Sequence, residues 1–195
     1  MLQRYPVSDI IGAEPFIDNR NIRKSEVTSL RRLEVFFDYA CPYCQKGHGY
    51  LIELLQRHTD IVVDWRPCEA HPRPERFGLH SDLCIQGFFF AQELGVDVFD
   101  YHERMYNAAL KECVNIENHD ELANVVKGLL KISDFLKALK SGKYEKKVAA
   151  ANDYAYDQSS VWAVPAYRMN GRKLDSIEDV GITKEQLADF LSAEK

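Results

Sequence analysis

The sequence predicts an α/β fold in which a βαβ unit and a closing ββα unit bracket an all-helical insertion. Three observations predict it. Two strand-like runs flank one amphipathic helical segment early in the chain. About eighty residues of helical periodicity follow. The chain then returns to strand patterning around an Asn-Gly turn and ends on a capped helix. At 195 residues, 46% hydrophobic and 28% charged, the chain is long enough to bury a core without disulfide staples. Its formal net charge of -5 lacks the basic footprint of a nucleic-acid binder or of a protein drawn to anionic membranes. No run approaches the length of a membrane span.

Residues 1–32 are weakly patterned, with turn signals at Gly12, Pro15 and Asp18-Asn19, and read as a leader of unknown role. Charges interrupt this segment throughout, so no secretory h-region is visible. The expected location is the cytoplasm. Residues 33–76 form the first part of the α/β unit. "LEVFFDY" (33–39) is rich in aromatic and β-branched residues and reads as a strand. A helix follows, with Tyr50, Leu51, Leu54, Leu55 and His58 at helical spacing. Pro42 suits its first turn, where a missing N–H costs nothing. "IVVDW" (61–65) is the second strand, and this short crossover implies a parallel pair.

Residues 77–159 read as the helical insertion. Ser81 is expected to cap a helix that Gly95 stops, and a second runs from about Val98 to Cys113. A third covers "HDELANVVKGLL", and a short fourth starts at Ser133. The last runs from about Lys143 to Gln158, with Tyr144, Val148 and Ala155 on one side. Residues 160–195 close the fold. "VPAYRM" and "RKLDSI" are strands joined by Asn170-Gly171, a strong two-residue hairpin signal. Thr183 and Gln186 are spaced as a capping box for the last helix.

The chemistry concentrates in "FFDYACPYCQKG". A helix that starts at Pro42 puts Cys41 at its N-terminus, where unpaired N–H groups and the dipole stabilise an anion. A thiolate is that anion, so the Cys41 pKa is expected within roughly 3.5–7.5. Cys41 would be the exposed nucleophile and Cys44, one turn inside, the buried resolving thiol. Zinc requires four ligands, yet Cys68, Cys84 and Cys113 stand singly and the nearest histidine is His48. A c-type haem requires histidine after the second cysteine, where Gln45 stands. Five cysteines make an odd count, unlike a secreted disulfide framework, and cytosolic disulfides tend to be transient and catalytic.

These residues resemble the DsbA-like branch of the thioredoxin fold over about residues 33–194. "DYACPYCQKG" is similar to the D-x-x-C-P-W-C-x-x-G of the FrnE-like subgroup. "VDWRPCEAHP" is similar to its W-R-P segment, "AVPAY" to the family's cis-proline loop and "MNGRKL" to the hairpin after it. The resemblance implies a thioredoxin-like fold and thiol-disulfide exchange by a redox-active Cys41–Cys44 couple. It implies a cis Pro165 beside Cys41, with Pro42, Tyr43, Val164 and Pro165 contacting substrate. It implies no metal and no tightly bound cofactor. The partner would be a thiol or disulfide protein, or glutathione as reductant, since Pro-Tyr is also the glutaredoxin dipeptide. Pro-Tyr replaces the Pro-His of strongly oxidising periplasmic members, so a less oxidising couple is expected.

Two further readings stand beside this one. The kappa glutathione transferases and 2-hydroxychromene-2-carboxylate isomerases share the insert architecture but carry serine at the nucleophile position. A binding module could keep the fold without turnover. Asp38 is read as a proton relay to Cys44 or as a loop carboxylate making local backbone bonds. His48 reads as an ordinary helix-surface histidine. Glu69 and His71 sit opposite no obvious chemistry. Cys68, Cys84 and Cys113 read as core thiols, as does the "GFFFAQ" cluster, of which one phenylalanine is expected to border the site.

Overall fold

The computed structural model describes residues 30–193. The leader reading for residues 1–32 therefore lies almost wholly outside the described residues. Four strands form one sheet in the order β2-β1-β3-β4. β1 (Arg31–Phe37) and β2 (Ile61–Pro67) are parallel, with Val35 opposite Trp65. Between them runs α1 (Pro42–Leu55), so the crossover is the one that a parallel pair demands. β3 (Ala166–Met169) lies antiparallel to β1, and β4 (Arg172–Asp175) antiparallel to β3. Asn170 and Gly171 both have positive φ, 52° and 74°, as a type I′ hairpin turn requires.

Alternation along β1 explains the layers. Leu33 and Val35 point to one face and pack with Leu51 and Leu54 of α1 and with Leu187, Phe190 and Leu191. The last three belong to α7 (Lys184–Ser192), whose Thr183–Gln186 capping box is formed on both sides. Phe36 points to the other face and joins the larger core of the insertion. That insertion comprises α2 (Asp82–Glu93), α3 (Val98–Leu110), α4 (His119–Val125), α5 (Ile132–Lys140) and α6 (Glu145–Asp153). The chain thus has a mixed α/β, thioredoxin-like fold with a helical insertion. No helix among the described residues is long and apolar enough to cross a membrane.

Several elements differ from the sequence reading. Ser81 occupies the N-cap of α2, but its hydroxyl makes no capping bond. The third helix stops at Val125 because Gly128 takes φ +82°, a left-handed turn that no helix continues through. α3 ends at Leu110, so Cys113 stands beyond it, exposed and at φ 53°, not in the core. The long last helix of the insertion changes pitch. After Asp153 it widens into a π-helical turn, Tyr154–Gln158. That turn sends the Tyr154 hydroxyl to Glu34 at 2.6 Å and the Tyr156 hydroxyl to the Glu69 carbonyl.

The same turn delivers the strap before β3. Arg168, nearly buried on β3, donates to the carbonyls of Ser159 (3.3 Å) and Ser160 (3.2 Å). This ties the strap that carries Val164 and Pro165 to the sheet, with its tip at the mouth of α1.

Candidate active site

Cys41 is the N-cap residue of α1, in extended backbone, and Pro42 follows at the first helical position. The Cys41 sulfur accepts from the Cys44 backbone N–H at 3.4 Å and donates to the Val164 carbonyl at 3.6 Å. Cys41 is half-buried and Cys44 buried, one turn inside the helix. The two thiols are displaced in opposite directions. A hydrogen bond from the Cys44 thiol, joined by the Cys44 N–H, lowers the Cys41 pKa against the opposing effect of burial. Burial pushes the Cys44 thiol well above its ordinary range, and the neighbouring Cys41 adds to this. One member is thus primed as thiolate and the other held as thiol.

Asp38 closes the site from beneath. Its backbone N–H donates to the Cys44 sulfur at 3.4 Å. Its buried carboxylate accepts from Ala40 N–H at 2.8 Å and Ala70 N–H at 2.5 Å. Burial raises the Asp38 pKa and these bonds oppose the rise. The carboxylate makes local backbone bonds, as one sequence reading expected, and it is the backbone N–H of Asp38 that touches Cys44.

The Val164–Pro165 peptide bond is cis. The loop can approach α1 because residue 47 is glycine. A Cβ on Gly47 would stand 2.8 Å from the Tyr167 hydroxyl and 3.1 Å from Pro165 Cγ. On the outer side, Tyr43 donates its hydroxyl to the Asp179 carbonyl at 2.6 Å. Its ring lies on Gly181, where φ is +81° and a Cβ would come within 2.7 Å of that ring. Ser176 N–H donates to the Pro165 carbonyl at 3.1 Å, which couples the 176–182 loop to the proline loop. All six residues singled out for redox and substrate contact therefore meet at the N-terminus of α1.

A match to the DSBA-like thioredoxin domain spans residues 32–192. The chain belongs to the DsbA-like thioredoxin family. YwbO of Bacillus subtilis (strain 168), described only as uncharacterized, is similar at 25% identity over 171 residues, 69% of this chain and 84% of that protein. The DsbA crystal structure from Xylella fastidiosa superposes with a TM-score of 0.63 at 22% identity, covering 86% of this chain and 88% of that one. Chlamydia trachomatis DsbA gives 0.66 at 10% identity, covering 92% and 96%. These structures share the fold, and this DsbA-like chain carries the Cys41–Cys44 pair on it.

In this DsbA-like domain His48 and Glu69 stand where the sequence did not put them, whereas Cys68, Cys84, Phe88 and Phe90 are core as expected. His48 is not on the helix surface. It lies on the Cys44–Leu51 face of α1, among Trp65, Phe99, His102 and Tyr106, and neither ring nitrogen has a hydrogen-bond partner among the described residues. Burial lowers its pKa to about 4. Its position four residues after Cys44 and three before Leu51 was the available signal. His102 and Tyr39, fully buried, pair across the insert boundary at 2.9 Å. Glu69 is buried too, at 4% exposure, and not on an inert edge. Cys68 and Cys84 are buried, and burial raises both thiols. Phe88 and Phe90 are core, and Phe88 packs on Phe37 and His102.

Among the described residues, no group of three His, Cys, Asp or Glu side chains is placed to hold a metal. Two shallow clefts of about 300 and 220 Å³ lie beside Arg168–Lys173 and between Trp65 and Tyr154; Cys41 lines neither.

Proposed function

We propose that the protein is a dithiol–disulfide oxidoreductase that acts through Cys41 and Cys44, of the FrnE-like type. The observation that carries this reading is the placement of the two thiols: Cys41 caps α1 beside the cis Val164–Pro165 loop, and Cys44 lies buried one turn inside with its N–H 3.4 Å from the Cys41 sulfur. In the reducing direction the Cys41 thiolate attacks a substrate disulfide sulfur. A mixed disulfide forms and one substrate thiolate leaves. Cys44 then gives its proton to Asp38 and attacks the Cys41 sulfur. The Cys41–Cys44 disulfide forms, the second substrate thiolate leaves, and two electrons have passed to the substrate. The oxidising direction reverses each step.

The Val164–Pro165 loop and Tyr43 frame the place where the substrate sulfur must arrive. Val164 sits beside Cys41 with its carbonyl turned to the sulfur, a geometry suited to an extended segment laid along the loop. The substrate is a protein disulfide or thiol, with glutathione as the reductant that resets the couple. The odd cysteine count favours a reducing, cytoplasmic setting.

The test is trapping. Cys44→Ser should accumulate a mixed disulfide with a disulfide substrate, and Cys41→Ser should accumulate none. Equal trapping by Cys41→Ser would refute the assignment of the nucleophile. The kappa-type reading predicts glutathione conjugation that survives Cys44→Ser; conjugation at wild-type rate in that variant would favour it.

A further inference from the structure

Behind Cys44 lies a set of buried oxygens that lack donors. Glu69 is pinned on three sides. Its N–H donates to Asn152 Oδ1 at 2.9 Å, and Asn152 Nδ2 donates to Glu69 Oε1 at 3.0 Å. Its carbonyl accepts from Tyr156. Among the described residues Oε2 is buried without a hydrogen-bond partner, and so are Ser81 Oγ, Asp82 Oδ1 and Gln86 Oε1. The Ser81 hydroxyl lies beside the Asp38 carboxylate and favours its charge, though it makes no well-formed hydrogen bond there among the described residues. The Ala70 N–H that binds Asp38 Oδ2 belongs to the peptide immediately after Glu69. Asp82 and His80 lie within electrostatic reach of Glu69. At the outer end, half-exposed Arg73 stands 3.6 Å from Asp82 Oδ1 and pairs with Glu117 at 2.8 Å.

An ionised carboxylate only accepts, whereas a protonated one also donates. Leaving ionised acceptors buried and unpaired is costly, and such groups keep a proton instead. A proton on Glu69 Oε2 supplies one of the donors that this cluster lacks. Ser81 can accept from one side and donate to the other. Asp38, Ser81, Glu69 and Asp82 form one cluster with that property: Ser81 lies beside the Asp38 carboxylate, and Asp38 and Asp82 lie within electrostatic reach of Glu69.

We propose that Glu69 is the second station of a proton exit that carries the Cys44 proton from Asp38, by way of Ser81, to Glu69 and on to Asp82, beside the half-exposed Arg73. This rests on the reading of Asp38 as the base for Cys44. Each group takes one proton on one side and releases one on the other, and no electrons move along the path. Glu69 acts through Asp38 and touches neither sulfur, so it is a positioning residue for the proton. The titratable and charged groups around the pair are His71, Cys41, Cys44, Cys68, Cys84, Tyr39, Tyr106 and Tyr156 at Asp38, and Asp82, His80 and Arg73 at Glu69.

The experiment compares single turnovers of the full chain, wild type against Glu69→Gln, across pH and in deuterated water. Gln keeps the oxygen that bonds Asn152 and removes the exchangeable carboxyl proton. Attack by Cys41 should be unchanged. Resolution by Cys44 should slow about tenfold at neutral pH, with a larger solvent isotope effect. A resolving step unchanged in rate and isotope effect overturns the proposal. Asp38→Asn separates the two claims: an unchanged resolving step there sinks the Asp38 reading and the exit with it. Should Glu69→Gln not fold, infrared titration of the reduced wild-type protein decides. A buried protonated-carboxyl band that persists at neutral pH and responds to oxidation of the couple is expected, and its absence overturns the proposal.

Discussion

Replacing Cys44 by alanine removes the thiol that hydrogen-bonds the Cys41 sulfur, the largest influence lowering that pKa. It leaves the backbone N–H of residue 44, at 3.4 Å, and the helix N-terminus. A hydrogen bond to a charged group is worth about 1.5–3 kcal/mol. This one is made to sulfur in a half-buried setting, so the lower end applies, about 1.5 kcal/mol. At 1.36 kcal/mol per unit, the Cys41 pKa should rise by about one unit. Asp38→Asn should move it the other way, because the Asp38 charge opposes the thiolate. The assay is alkylation rate and thiolate ultraviolet absorbance against pH. It is done in a Cys113→Ser background, since Cys113 is exposed and would react as well. Cys68 and Cys84 are buried with raised pKa values and stay silent. A Cys41 pKa that stays put or falls in Cys44→Ala would refute the account of how the nucleophile is primed.

Gly47→Ala gains about 1 kcal/mol of helix propensity but forces a methyl to within 2.8 Å of Tyr167 and 3.1 Å of Pro165. Overpacking costs about 1–3 kcal/mol, so urea unfolding should show a net loss of about 0–2 kcal/mol, with disulfide-exchange rate falling more than stability does. His48 has a folded pKa of about 4 against an ordinary 6.5. The unfolded chain therefore binds the extra proton first, and stability is lost as pH falls from 6.5 toward 4. That window spans about 2.5 units, or about 3 kcal/mol at most, and His48→Phe should flatten the denaturation profile there by that difference. Asp38 and Glu69, both raised by burial, act with the opposite sign, so the wild-type minus variant curve is the quantity to read. Gly181→Ala places a side chain at φ +81° against the Tyr43 ring, a strain of about 1–2 kcal/mol. Mixed-disulfide formation should slow in it more than in Tyr43→Phe, which loses one exposed hydrogen bond.

The order of elements was legible because each carries its own local signal. Strand residues in β1 alternate between two cores, Asn170-Gly171 can only turn tightly, and Thr183 and Gln186 cap each other. The cysteine pair was legible for the same reason: Pro42 starts a helix and Cys41 must then be its cap. What escaped was whatever depends on the third dimension. His48 looks polar on a helical wheel until Trp65, Phe99 and His102 arrive from β2 and α3 to cover it. Glu69 becomes a buried acid only when Asn152, 83 residues later, folds over it. The π turn at Tyr154–Gln158 leaves no trace in a 3.6-residue period, and it is set by the two tyrosine hydroxyls finding Glu34 and the Glu69 carbonyl. Helix ends slipped where a positive φ, as at Gly128, overrode apolar spacing.

The central claim is that Cys41 and Cys44 form one reversible redox couple. Its direct test is a titration against glutathione buffers, followed by mass mapping of the 41–44 disulfide, with Cys44→Ser as control. The account predicts a single two-electron transition that Cys44→Ser abolishes. Its potential should be less oxidising than the about -120 mV of a strong disulfide donor and lie toward the about -270 mV of a cellular reductase. Failure of a 41–44 disulfide to form at any poise would contradict the account and leave a binding module with this fold.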